Sequence, residues 1–173
     1  MSEFIRIGLP KGRLFEHAVA LLSAAGIHIH DKEFQSRRLI FRDAQNRFEF
    51  VCLKPIDIPV YVESGVIGIG IVGTDILREL ESDVYEPLDL RIGKCKLSLA
   101  ARKGTVLSPT AHLRIATKYP KTAQRFFKSN NAHVQIVKLE GSVEIAPLLG
   151  LADAIVDLVE TGITLQENGL EIQ

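Results

Sequence analysis

The sequence has no excess of either charge: Lys plus Arg and Asp plus Glu each number 21 among 173 residues, and the formal net charge is zero with histidine neutral. Without a basic balance the chain has no global footprint for nucleic acid, so any anion it binds must be met by a local cluster of charge. Small-molecule partners are therefore expected. A long apolar run is also missing. No stretch reaches the roughly 20 apolar residues a membrane span needs. The opening Met1-Ser2-Glu3-Phe4-Ile5-Arg6 lacks the basic region and apolar run of a secretory leader. The expected location is the cytoplasm, with no membrane partner. Cysteine is scarce: Cys52 and Cys95 stand alone, with no C-x-x-C spacing, so each is expected as a reduced, packed thiol. The five histidines are scattered, no Ser-His-Asp or Cys-His constellation stands out, and no internal repeat is visible. Nothing here calls for covalent catalysis. His28 and His30 lie two apart with no third ligand in view, which reads as a surface pair and not a metal site.

What is present is a globular composition. Hydrophobic residues make up 46% and charged residues 24%, enough for one full domain or two small lobes with packed cores. The stretch 154–159, Ala-Ile-Val-Asp-Leu-Val, is rich in β-branched residues and reads as a strand buried on both faces of a parallel sheet. It runs into Glu160-Thr161-Gly162-Ile163-Thr164. There Gly162 permits a positive φ, successive N–H groups can form an anion nest, and Thr164 can cap a short helix over 165–168. Asp157 and Glu160 beside such a nest make little sense for bare phosphate and good sense for a phosphorylated sugar, whose hydroxyls need acceptors. A buried strand followed by a capped turn would look the same, so the rest of the chain must decide.

Residues 4–9 alternate as a strand into Pro10-Lys11-Gly12-Arg13, after which apolar residues recur at helical spacing until Gly26. Two cations at a helix start oppose its dipole, which points to a bound polyanion; the plain alternative is that Lys11 and Arg13 simply reach solvent. Residues 38–43 and 48–53 read as a hairpin. A turn and helix over 57–65, a buried strand over 67–72, a turn at Gly73-Thr74-Asp75 and a short helix over 76–81 follow. The run 88–102 reads as one long extended segment crossing between lobes. Then come a strand at 113–117, a helix at 120–129, a strand at 133–139 and a helix at 142–149. The fold class expected is α/β, two lobes with a cleft between them, crossed near Gly93 and Thr161. Residues 1–92 with 163–173 would form the first lobe and 93–162 the second. Ligands in open α/β sheets bind beyond the carboxyl ends of strands. Here those ends carry Lys11-Gly12-Arg13, Gly73-Thr74, Thr117-Lys118, Gly141-Ser142 and Thr161-Gly162-Thr164.

Six stretches in order then resemble one family, the ATP phosphoribosyltransferases of histidine biosynthesis, in their short form. They are I-R-I-G-L-P-K-G-R-L from Ile5, D-I-P-V-Y-V-E-S-G from Asp57, I-G-I-V-G-T-D from Ile69, G-K-C-K-L from Gly93, A-T-K-Y-P from Ala116 and G-S-V-E-I-A-P-L-L-G-L-A-D-A-I-V-D-L-V-E-T-G-I-T-L from Gly141. The resemblance implies a two-lobed periplasmic-binding-protein-like (type II) fold with mixed sheets. It also implies transfer of a 5-phosphoribosyl group from 5-phosphoribosyl 1-diphosphate to N1 of ATP, with Mg2+ on the substrates' phosphates. Carried over residue by residue, Thr161, Gly162, Ile163 and Thr164 would hold the 5-phosphate. Asp157, Glu144 and Glu160 would serve the ribose side, and Lys11, Gly12, Arg13, Arg37, Lys54 and Gly73 would face ATP or diphosphate. Asp157, Glu144 and Lys11 are the expected catalytic residues, and no metal ligand is expected from the protein. Lys54 stands where the family more often has arginine, and Ile56 where it has lysine, which removes a bidentate phosphate contact. The family continues past Asn168-Gly169-Leu170 with a segment that packs back on the first lobe, whereas this sequence ends at Gln173. The short form implies a homodimer working with a separate regulatory subunit similar to histidyl-tRNA synthetase. Two other readings remain: a non-catalytic two-lobed binding module for an anion or nucleotide, and a base-salvage phosphoribosyltransferase. The second would want adjacent acids and Thr-Gly-Gly-Thr, whereas Leu158 follows Asp157 and Ile163 follows Gly162.

Overall fold

Ile5–Pro10 forms β1, and its last four residues are all buried, as a strand with neighbours on both sides requires. The computed structural model describes residues 4–29, 38–43, 45, 47–108 and 112–173; the chain divides into two units, Met1–Gly93 and Lys94–Gln173. In the first unit β3 (Phe48–Leu53) and β4 (Ile69–Gly70) lie parallel to β1 on either side, and β2 (Ile40–Arg42) pairs antiparallel with β3. The sheet order is β2-β3-β1-β4. Helix α1 (Leu14–Ala24) packs Ala18, Phe15 and Leu22 on a core of Ile7, Leu9, Phe41, Phe50 and Cys52. A 3-10 turn at Pro55–Asp57 leads into α2 (Ile58–Glu63), and α3 (Thr74–Leu80) follows β4.

The hairpin expected from 38–53 forms because Asp43, only 5% exposed, takes over its turn. The Asp43 carboxylate accepts the N–H groups of Gln45, Arg47 and Phe48 at 3.1, 2.7 and 2.8 Å. Burial pushes this carboxyl up, but those backbone donors together hold it below its usual value.

The second unit is a five-stranded sheet in the order β7-β6-β8-β5-β9. Strands β6 (Leu113–Thr117), β7 (Val134–Lys138) and β8 (Ala154–Val159) are parallel, while β5 (Lys96–Arg102) and β9 (Leu170–Ile172) run antiparallel to their neighbours. Helix α4 (Pro120–Ser129) covers one face through Ala123 and Phe127, against Ala101, Ile115, Ala154 and Val156. The other face carries Ala100, Ala116 and Ile155 beneath Val143 of a 3-10 turn (Val143–Ile145) and Leu165 of α5 (Ile163–Glu167). Strand β8 is thus buried on both faces, as its composition required.

Four expectations are corrected. The extended run over 88–102 is a strand only from Lys96, because Arg91 and Gly93 turn left-handed at φ 55° and 60°. The helix over 142–149 is a single 3-10 turn followed by turns, since Pro147 has no N–H to give to Val143 and the Ala146 N–H takes that carbonyl at 3.1 Å instead. The strand over 67–72 shrinks to Ile69–Gly70. Finally, residues 163–173 do not join the first lobe. Leu165 and Leu170 are buried in the second unit's core, and β9 extends that unit's sheet through Arg102↔Leu170, Ala101↔Glu171 and Ala100↔Ile172. The Glu171 carboxylate also accepts the Gly104 N–H at 2.8 Å. Both cysteines are free, as expected, and among the described residues no helix is long and apolar enough to cross a membrane.

Candidate active site

In the second unit the chemistry gathers where β6 and β8 end. Alternation along β8 sends Ile155, Asp157 and Val159 to the face covered by α5 and the Val143–Ile145 turn. Ile155 sits in the core, and Asp157, further along, is half-buried. Its Oδ1 accepts the N–H of Leu158 at 2.9 Å. Burial pushes this carboxyl above its usual value. The Leu158 N–H and the Lys118 ammonium pull it down, and the Glu144 carboxylate pushes it up again. Glu144 is itself half-buried, in the 3-10 turn that Ser142 enters with φ 48° and ψ 43°. The fold therefore brings together Asp157 and Glu144, two carboxylates 13 residues apart in the chain.

Beyond β8, Glu160 and Thr161 are exposed and Gly162 is left-handed at φ 78°, ψ −1°, a conformation a β-branched residue adopts only under strain. The Thr161 hydroxyl accepts the Ile163 N–H at 3.5 Å. The cap of α5 is Gly162 and not Thr164, because the helix starts two residues earlier than the sequence suggested. Thr164 lies in its first turn. A five-residue helix has little dipole of its own, so the loop's N–H groups are the main donors it presents. Glu160, Thr161 and Gly162 line a cavity of 620 Å3 with Lys94, Lys96 and Ser98.

In the first unit, Lys11, Lys54 and Gly73 follow three adjacent parallel strands. The β1–β3 register ends at Pro10↔Leu53, so Lys11 and Lys54 leave the sheet side by side, and the Lys11 N–H donates to the Leu53 carbonyl at 2.8 Å. Both are exposed, as are Gly12 and Arg13. Gly12 takes φ 91°, and Phe15 N–H returns to its carbonyl at 3.0 Å to start α1. Gly73 caps α3 with the Asp75 carboxylate folded against it. Burial pushes the Cys52 thiol up, partly opposed by the Lys11 charge. Arg37 lies outside the described residues, as does His30. Ser98, opposite Asp157 in the β5–β8 register, escaped the sequence reading; its signal was the alternation of β5 against β8.

The architecture is that of two-lobed, periplasmic-binding-protein-like (type II) α/β proteins. Cysteine-binding protein from Campylobacter jejuni superposes with a TM-score of 0.53 at 18% identity, over 98% of this chain and 70% of that one, a likeness of fold alone. The sequence narrows the class. A family model described as HisG: ATP phosphoribosyltransferase matches residues 54–173. ATP phosphoribosyltransferase from Oceanobacillus iheyensis is 51% identical over 168 residues, 97% of this chain and 81% of that protein. The enzyme of that name from Bacillus subtilis is 48% identical over 170 residues, 98% and 79% of the two. The ATP phosphoribosyl transferase (HisG:HisZ) complex from Thermotoga maritima superposes with a TM-score of 0.82 at 37% identity, over 98% of this chain and 81% of that one. The chain belongs to the ATP phosphoribosyltransferase family.

Proposed function

We propose that this chain joins ATP to 5-phosphoribosyl 1-diphosphate, forming a bond from adenine N1 to ribose C1 and releasing diphosphate, as the first step of histidine biosynthesis in the cytoplasm. The observation that carries the reading is the end of β8: a half-buried carboxylate, then an exposed loop built on the left-handed Gly162.

The N–H groups and hydroxyls of Thr161, Gly162, Ile163 and Thr164 hold the 5-phosphate. Asp157 and Glu144, with Glu160, accept from the ribose hydroxyls and face positive charge as it develops at C1. Lys11 and Arg13 meet the phosphates of ATP or the diphosphate, with Gly12 allowing close backbone approach and Lys54 and Arg37 adding charge. Adenine N1 has a free lone pair at neutral pH, so the step needs orientation and fixed charge more than a general base. Among the described residues no three His, Cys, Asp or Glu side chains gather to hold a metal ion. Mg2+ would come with the substrates' phosphates, where it would offset the charge of the leaving diphosphate. By analogy with the Thermotoga maritima complex, the chain works with a HisZ-type subunit similar to histidyl-tRNA synthetase.

The test is direct. The chain is incubated with ATP, 5-phosphoribosyl 1-diphosphate and Mg2+, with and without that subunit, and N1-(5-phosphoribosyl)-ATP is sought by mass spectrometry. Binding of both substrates without product in either mixture would leave a binding module as the better description.

A further inference from the structure

We propose that Lys118 is a positioning residue of the phosphoribosyl site, an ammonium that stands level with Asp157 in a cross-strand row with Ser98 and holds that carboxylate ready for the ribose. The proposal rests on the reading of Asp157 given above, and its test separates the two.

The row follows from register. Strands β6 and β8 are parallel, and their last pair is Thr117↔Val156, so the next residues along are Lys118, just past the end of β6, and Asp157, within reach of the Lys118 charge. On the other flank β5 places Ser98 opposite Asp157. Neighbouring residues in a sheet share a face. That face is identified by Ala100, Ala116 and Ile155, which lie two residues before or after the row and pack together with Val143 and Leu165. Hydroxyl, carboxylate and ammonium thus line up across three strands beside the Glu144 turn.

The backbone around Lys118 is anchored. Thr117 is fully buried; its hydroxyl accepts the Tyr119 N–H at 2.9 Å and its carbonyl accepts the Leu139 N–H at 3.0 Å. Tyr119 is 7% exposed and leads into α4 through Pro120.

The charges facing Asp157 come from every element around it. The Val143–Ile145 turn contributes Glu144 and the bend just after β6 contributes Lys118, while the loop after β8 carries the exposed Glu160. Strand β5 contributes uncharged Ser98 and, two residues away on the same face, the exposed Lys96, opposite Val159. Helix α5 turns the apolar Leu165 inward. Lys118 is the cation whose charge favours the ionised form of Asp157, against burial and against Glu144. Removing it leaves a half-buried carboxylate in an acid-rich setting.

The experiment uses the full chain with 13C-labelled aspartate, in wild type, Lys118→Met, Lys118→Gln and Lys118→Arg, each checked for a native near-UV circular dichroism spectrum. The Asp157 carboxyl resonance is assigned by its loss in Asp157→Asn and followed against pH. Its titration is expected to move to higher pH in Lys118→Met and Lys118→Gln and to return in Lys118→Arg. Binding of 5-phosphoribosyl 1-diphosphate by calorimetry is expected to weaken in the two neutral variants, with a loss that grows as pH falls and shrinks as pH rises. An unchanged titration in both folded neutral variants overturns the proposal. So does an equal loss of binding at every pH, which would make Lys118 a direct ligand. A wild-type chain that fails to bind the substrate at any pH overturns the reading of the site, while the titration still judges the pairing.

Discussion

Arg114 grips Asp153 through one edge of its guanidinium: Nη2 lies 2.8 Å from Oδ1 and Nε 3.3 Å from Oδ2, while the Arg114 backbone N–H donates to Oδ2 at 2.8 Å. Nη1 also donates to the Gly150 carbonyl at 2.9 Å. The pair ties the start of β6 to the start of β8, at the other end of these strands from Asp157. Hydrogen bonding from Arg114 holds the Asp153 carboxyl below its usual value of 3.8. A carboxylate with a depressed folded pKa contributes stability above its unfolded value and loses it as pH falls through the folded one. Asp153→Asn should therefore lower Tm at pH 7 and flatten the acid limb of the stability curve, with substrate binding retained. A Tm–pH series on both proteins checks this, and parallel acid limbs would remove the pair from the account.

Asp43 should matter more to folding than its loop position suggests. Replacing it with Ala leaves the N–H groups of Arg47 and Phe48, and more weakly Gln45, without their acceptor in a part-buried turn. The expected cost is about 2–3 kcal/mol, read from urea unfolding, with Asp43→Asn recovering part of it. A cost below about 0.5 kcal/mol would show that water takes over the turn.

Asp157 carries the opposite sign. Burial raises its folded pKa, so the folded state holds the proton longer than the unfolded state. Its contribution is present below the unfolded value and lost as pH rises through the folded one. Asp157→Asn removes a charge that is costly to bury, and should raise Tm at pH 7 while slowing turnover by roughly 10² to 10³. Scanning calorimetry and steady-state rates on the same preparation test both halves. A variant that is less stable and fully active would contradict each.

Gly162→Val forces a β-branched residue to φ 78°. Binding of 5-phosphoribosyl 1-diphosphate should weaken by at least about tenfold, roughly 1.4 kcal/mol, with unfolding still cooperative. Affinity equal to wild type in a calorimetric titration would take the 5-phosphate away from this loop.

Much of this was legible in the sequence because the determining forces are local. Strand β8 matched the expected 154–159 and α4 the expected 120–129, since a β-branched run and a Pro-started helix leave few alternatives. Asp157 was read from the strand-to-loop chemistry, whereas Glu144 was named only by resemblance, because nothing in spacing alone says that its turn folds over the face to which Asp157 points. The left-handed break at Arg91 was illegible for a different reason, as arginine carries no signal for positive φ. Strand β9 was missed because three residues with one buried leucine make no pattern, and only pairing with β5 defines them.

The six residues of β8 divide between two kinds of tolerance to substitution. Ala154, Ile155 and Val156 are at most 4% exposed and packed from both sides, so they accept almost no change in volume. Asp157, one residue later, is fixed by its charge and not by its fit. A library randomised at each position and sorted first for folding, then for activity, would see a sharp boundary between Val156 and Asp157. Before it the two sorts would return the same residues, and at Asp157 the folding sort would favour uncharged residues that the activity sort discards.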